Sequence, residues 1–353
     1  MVCERRPSRA ATSRSPASSA RRLDRAATGP RGRSDCSLGG VSPVRIQNPV
    51  FSVREHRLGA QYADLAESNG LILGDSLAVL SNMPEKVAQT VVTSPPYWSL
   101  RDYGIEGQVG LNETVYAYID SLADLFDQVF RVLRDDGTLW LNIGDSYTSG
   151  NRGWRAPDKK NRARAMSLRP PTPEGLKDKD LIGVPWRIAF ALQERGWYLR
   201  SEVVWHKPNA QPESVRDRPT RAHEQVFLFS KSERYHYDVD AVKGPNGRRL
   251  RSVWDIKTRA NRAASGHFAT FPIELVDRCV KITSAPGDLV LDPFLGSGTT
   301  ALSAGALNRR FCGVELNPDY LDMSRERLID AGFKESAPEQ RGRVRRAGQA
   351  GRG

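Results

Sequence analysis

The sequence predicts an α/β fold built on a mainly parallel sheet. Three observations carry that expectation. Short β-branched, apolar runs alternate with longer stretches of helical period between Leu71 and Ala331. Two of the runs stop abruptly at a proline or glycine loop, the way strands end at the carboxyl edge of a parallel sheet. The 353 residues are 39% hydrophobic, enough to bury a core, and show no internal repeat.

The elements follow in order. Leu71 to Asp75 reads as a short buried strand ending in a turn, and Ser76 to Met83 as a helix stopped by Pro84. Val87 to Thr93 is a β-branched strand that ends at Ser94-Pro95-Pro96-Tyr97. Tyr118 to Arg134 places apolar residues at 119, 122, 126, 129, 130 and 133, the period of an amphipathic helix. Asp135-Asp136-Gly137 should break it before a strand over Thr138 to Ile143. Gly144 to Lys179 reads as a polar, basic loop. Val184 to Arg195 is a helix with Pro185 in its first turn, followed by strands over Trp197 to Trp205 and Glu224 to Phe229. Asn209 to Arg221 and Lys243 to Gly266 read as loops around a small irregular subdomain. Pro272 to Thr283 is helical, Leu289 to Asp292 a strand, Ser297 to Leu307 a helix, Phe311 to Val314 a strand and Asp319 to Ala331 a helix.

The formal net charge is +12, which favours a polyanionic partner because bound phosphates release counterions. Part of that charge lies in an arm: residues 1–45 hold ten Arg against three acids. Its composition overlaps with that of a transit peptide, but it lacks an amphipathic apolar face. Residues 1–49 and 333–353 are therefore expected to be disordered basic tails. The four cysteines, Cys3, Cys36, Cys279 and Cys312, form no CxxC pair, and the five histidines show no metal-ligand spacing, so no metal is expected. No apolar run reaches the roughly 18 residues of a membrane span, and a cytoplasmic protein is expected.

Two loops carry the chemistry. Asp292-Pro293-Phe294-Leu295-Gly296-Ser297-Gly298-Thr299-Thr300-Ala301 joins a strand to a helix and satisfies G-x-G-x-x-G/A, with Glu315 nineteen positions beyond Gly296. An acid there can accept hydrogen bonds from ribose hydroxyls. Taken alone, this loop suits a dinucleotide-binding dehydrogenase as well as a methyltransferase, and a purely structural tight turn also fits it. The proline loop separates these readings. In Ser94-Pro95-Pro96-Tyr97 the prolines donate no N–H, the carbonyls remain acceptors, and Ser94 adds a hydroxyl. An exocyclic amine of a base is a poor nucleophile because its lone pair is delocalised into the ring. Two acceptors on its N–H bonds localise that lone pair. Tyr97 offers a flat face to a base flipped out of the duplex. A packed Pro-Pro turn is the competing reading of that tetrapeptide in isolation. A C5-cytosine mechanism would need a cysteine nucleophile beside proline, and none of the four qualifies.

Thr93 to Tyr97 together with Asp292 to Thr300 resemble the amino-group DNA methyltransferases, in the permuted group whose catalytic loop precedes the cofactor loop. The resemblance covers most of residues 70–330. It implies a doubly wound, Rossmann-like methyltransferase sheet, S-adenosylmethionine as cofactor and double-stranded DNA as substrate. It makes Ser94, Pro95, Pro96 and Tyr97 catalytic, and Asp75, Asp292, Phe294, Gly296, Gly298, Thr299 and Glu315 cofactor-binding. Leu73-Gly74-Asp75-Ser76 resembles the segment whose acid contacts the adenine, Val203 to Pro208 the strand and loop lining the target-base pocket, and Phe271 to Leu275 the helix beside the methionine end. Residues 50–208 would form the catalytic half, 209–266 the target-recognition region and 267–332 the cofactor half. In the recognition region Arg216, Arg218, Arg221, Arg248, Arg249 and Arg251 are the expected DNA contacts, and Gly150 to Arg169 is a second basic stretch. A serine before Pro-Pro-Tyr usually marks N4-cytosine enzymes, and an aspartate or asparagine there N6-adenine enzymes. Site-specific N4-cytosine methylation in a bacterial or phage setting, with a separate restriction endonuclease as possible companion, is the favoured expectation. The rivals are N6-adenine methylation, a silent DNA-binding protein on the same fold and a nicotinamide-dinucleotide dehydrogenase.

Overall fold

In chain order the strands are β1 (Val50–Glu55), β2 (Asn69–Leu73), β3 (Ala88–Thr93), β4 (Leu133–Ile143), β5 (Tyr198–His206), β6 (His223–Ser230), β7 (Val253–Asp255), β8 (Leu289–Asp292), β9 (Arg310–Glu315) and β10 (Lys334–Glu335). The helices are α1 (Ser76–Ser81), α2 (Val115–Val132), α3 (Val184–Glu194), α4 (Ile273–Thr283), α5 (Thr299–Ala306) and α6 (Pro318–Asp330). These elements come from a computed structural model, which describes residues 50–111, 113–148, 170–258 and 271–336. All of them fall in the unit Ile46–Gly353. The expected basic arm, the stretch from Gly150 to Arg169, and Arg259 and Arg262 lie outside the described residues.

The strands form one sheet in the order β10-β1-β2-β9-β8-β3-β4-β6-β5-β7. Neighbours are parallel except where β6 meets β4 and β5, so among the described strands β6 alone runs against the rest. Helices α1, α2 and α3 bury Leu80, Phe126 and Ile188 against one face with Leu141 and Phe227. Helices α4, α5 and α6 bury Val280, Ala304 and Leu328 against the other with Val92 and Val290. This three-layer, doubly wound arrangement is the one the alternating periods predict.

Local chemistry explains most element ends. Thr114 caps α2 by accepting the Ala117 N–H at 3.1 Å, and the apolar stripe Tyr118, Leu122, Phe126, Val129 is buried. Asn317 caps α6, with Pro318 in its first turn.

Four segments differ from expectation. Strand β1 precedes the first expected strand and pairs with β2 in parallel. Asp135-Asp136-Gly137 does not separate helix from strand but lies inside β4, because α2 already ends at Val132. Leu133 pairs with Ala88, a register shift follows before Thr90, and the Lys231 side chain donates to the Leu133 carbonyl at 2.8 Å. The tripeptide falls in the irregularity between the Leu133 and Thr138 pairs, so the local turn signal survives as a bulge inside the strand. Strand β10 continues the fold into the expected C-terminal tail. Its two residues pair with β1, and Phe333 just before them is buried against Phe311. Strand β7 adds an edge to the sheet within the expected irregular region, because Trp254 is buried beside Trp140 and its indole donates to the Arg251 carbonyl.

Candidate active site

Strands β3 and β8 are parallel neighbours, so the loops that follow them emerge side by side at the carboxyl edge. A hydrogen bond joins the two across 199 residues of chain: the Thr93 hydroxyl donates to Asp292 Oδ1 at 2.7 Å. Asp292 is 1% exposed and accepts further bonds from the Thr300 hydroxyl at 2.7 Å and the Phe294 N–H at 3.0 Å. Burial pushes its carboxyl up to about 6, against the pull of those donors. Asp292 thus knots the glycine loop to the proline loop and faces no open cleft.

The glycine loop turns with Gly296 at φ 55° and Gly298 at φ 79°, a region side chains rarely adopt. At Gly298 a Cβ would also come within 3.0 Å of Ser324. Thr299 begins α5 behind the loop and is buried. Glu315 closes the cradle. It accepts the Gly296 N–H at 2.7 Å on Oε2 and the Asn317 N–H at 2.9 Å on Oε1. Burial pushes its carboxyl up to about 7. Strand β2 lies next to β9, and the Gly74 N–H donates to the Glu315 carbonyl at 2.9 Å. Asp75 follows immediately as the cap of α1, exposed, with Oδ1 accepting the Ala78 N–H. Asp75, Gly296, Gly298 and Glu315 therefore share one end of the sheet. Tyr103, past the proline loop, packs edge-on to Tyr320 from α6, with ring centres 5.9 Å apart.

The proline corner is held from beneath. The Tyr118 hydroxyl donates to the Pro96 carbonyl at 2.7 Å, while among the described residues no hydrogen bond reaches the Pro95 carbonyl. The Tyr97 ring packs against Gly144, where a Cβ would sit 2.4 Å from Cε2. Three more side chains complete the corner: Lys207, from the expected pocket segment just after β5, and two that sequence reasoning did not single out, Asn142 from β4 and Glu224 from β6. The Tyr97 hydroxyl donates to Glu224 Oε2 at 2.9 Å. Asn142 Nδ2 lies 2.9 Å from the Tyr97 hydroxyl, 3.3 Å from Ser94 Oγ and 3.3 Å from Glu224 Oε2. Lys207 donates to Glu224 Oε1 and lies over the Trp205 ring at 4.3 Å. The available signal was a polar residue interrupting an apolar strand, as in Leu139-Trp140-Leu141-Asn142-Ile143, or opening one, as in Glu224 before Gln225 to Phe229.

The six arginines separate into two groups. Arg218 stacks over Tyr147 at 3.9 Å and pairs with Glu213 at 2.6 Å. Arg221 points inward toward Asp145, whose Oδ1 accepts the Gly183 and Val184 N–H groups at the start of α3. Arg216, Arg248, Arg249 and Arg251 are exposed, the last three on or beside a tight turn closed by the Lys243–Arg249 bridge.

With this geometry in place, the known proteins are informative. The family of DNA methylases acting at N6 or N4 matches residues 88–326. The chain is 57% identical over 290 residues to the type II methyltransferase M.Cfr9I of Citrobacter freundii, covering 80% of this chain and 94% of that protein. It is 54% identical over 265 residues to the type II methyltransferase M.SmaI of Serratia marcescens, covering 73% and 90%. Among solved structures, a DNA modification methylase of Thermus thermophilus complexed with S-adenosyl-L-methionine superposes with a TM-score of 0.54 at 26% identity, covering 76% of this chain and 99% of that one. The cytosine-N4-specific PvuII DNA methyltransferase shares the fold, with a TM-score of 0.58 at 22% identity over 82% and 97% of the two chains. The family match over residues 88–326 and the 57% identity to a type II methyltransferase agree, and the chain belongs to the N6/N4 DNA methylase family.

Proposed function

We propose that this DNA methyltransferase is site-specific, uses S-adenosylmethionine and methylates N4 of cytosine in duplex DNA. The supporting observation is the Thr93–Asp292 bond, which sets the Ser94 corner beside the glycine cradle. The cradle suits the cofactor. Gly296 and Gly298 keep Cβ atoms out of the loop, Glu315 keeps lone pairs for ribose hydroxyls beyond its two backbone bonds, and the exposed Asp75 is placed for the adenine. S-adenosylmethionine supplies an electrophilic methyl group. The chain supplies the rest. Ser94 Oγ and the Pro95 carbonyl accept from the target amine and localise its lone pair, and Tyr97 stacks on the extruded base. The serine at position 94 favours cytosine. The exposed Arg248, Arg249 and Arg251 hold DNA phosphates or base edges.

The test is nucleoside mass spectrometry of DNA incubated with the protein and S-adenosylmethionine carrying a labelled methyl. Labelled N4-methylcytosine is the expected product. Labelled N6-methyladenine alone refutes the choice of base, and the absence of label in any nucleoside refutes the methyltransferase reading.

A further inference from the structure

The polar cluster behind the proline corner has a hydrogen-bond polarity that can be counted. An ionised carboxylate only accepts and an ammonium only donates, so Lys207 leaves Glu224 as the acceptor that ends the chain. Tyr97 keeps its proton: burial, and then the neighbouring Glu224 charge, hold the phenol well above its ordinary value. Its one O–H therefore goes to Glu224 Oε2, at 2.9 Å. The phenol oxygen is left with lone pairs only, and these face Asn142 Nδ2 at 2.9 Å and Ser94 Oγ at 3.5 Å. Asn142 Nδ2 has two hydrogens for three acceptors: one goes to the Tyr97 oxygen, and the other is shared between the Ser94 oxygen and Glu224 Oε2, both at 3.3 Å. On this side Ser94 thus meets a donor aimed at its oxygen and an acceptor suited to its hydrogen. A serine hydroxyl has one hydrogen and two lone pairs. With the hydrogen turned to Tyr97 and one lone pair facing Asn142, the other lone pair is left for an incoming N–H.

We propose that Glu224 is a positioning residue. Acting through Tyr97, it turns the Ser94 hydroxyl so that its oxygen accepts from the target amine. The inference rests on the role given to Ser94 above. Without Glu224 the phenol hydrogen can swing toward Ser94, the serine hydrogen must turn elsewhere, and the amine meets a donor.

The test is a double-mutant cycle with Glu224→Gln and Tyr97→Phe, read by kcat on a duplex DNA that the wild-type protein methylates. Glutamine keeps the volume but can donate, and phenylalanine keeps the ring but removes the wire. Glu224→Gln should lower kcat about 10- to 100-fold while changing the cofactor Kd and the KM for DNA less than about twofold. In the Tyr97→Phe background the same change should cost less than about twofold, because the effect travels through the hydroxyl. Glu224→Asp, which stays an acceptor and a charge, should recover part of the lost turnover. Multiplicative losses in the cycle, or Glu224→Asp no better than Glu224→Gln, overturn the inference and leave the methyltransferase reading intact. Wild-type protein that transfers no methyl to DNA overturns both.

Discussion

The two corners of the site are built by different means. The cofactor corner is made of main chain: Gly296 and Asn317 N–H groups bind Glu315, the Phe294 N–H binds Asp292, and Gly74 binds the Glu315 carbonyl. The base corner is made of side chains from separate strands: Ser94 after β3, Asn142 in β4, Lys207 after β5 and Glu224 in β6. A corner made of backbone needs few residue types but a fixed path. A corner made of side chains tolerates any path that delivers the right groups, and each group then matters by itself. Substitutions at the two corners should therefore fail differently.

The largest expected effect is at the base corner. Ser94→Ala should lower kcat roughly 100- to 1000-fold, as removal of a group that acts in the transition state does, with cofactor affinity nearly unchanged. Isothermal titration with S-adenosylmethionine beside single-turnover methylation separates the two quantities. A large loss of cofactor binding would erase the contrast between the corners. The opposite pattern is expected at Gly298→Ala. A Cβ there meets Ser324 at 3.0 Å in a left-handed backbone, so the loop should lose about 1–3 kcal/mol and weaken cofactor binding before it affects turnover at saturation. Urea denaturation and the same titration check this.

A pH series gives the smallest and sharpest test. Glu315 must be ionised to serve as a charged acceptor, and its carboxyl stands near 7 rather than its ordinary 4.5. Cofactor affinity should fall by about tenfold between pH 8 and pH 6, and Glu315→Gln should flatten that slope. Stability moves the other way. An acid that holds its proton more tightly when folded adds stability as the pH drops from about 7 toward 4.5. Parallel binding and melting curves that shift in the same direction would contradict this assignment.

The same contrast explains what could be read from residues alone. The cofactor corner is a run of consecutive residues, Leu289 to Ala301, whose glycines and apolar strand are local signals. The buried stripe of α2 was legible for the same reason: its period lies in one stretch of chain. The base corner was half legible. Ser94 and Tyr97 share a tetrapeptide, but Asn142, Lys207 and Glu224 become neighbours only when β4, β6 and β5 pair. Strand β10 has no side-chain signal, since Lys334 and Glu335 are strand residues only through their hydrogen bonds to β1. At Asp135-Asp136-Gly137 the local signal was real, but pairing of Leu133 and Thr138 with β3 on either side turned it into a bulge within one strand.

The reversed direction of β6 has a consequence for what the chain can carry between β5 and Glu224. Because this strand starts where its neighbours finish, its second residue, Glu224, arrives beside the proline corner directly after the chain's excursion through 209–221. Its pairing with Trp205 of β5, and the pairing of the next residue, Gln225, with Ile143 of β4, fix that residue whatever the length of the excursion. A segment of different length or composition can therefore stand between Lys207 and Ala222 while the sheet still delivers the acid to the same place.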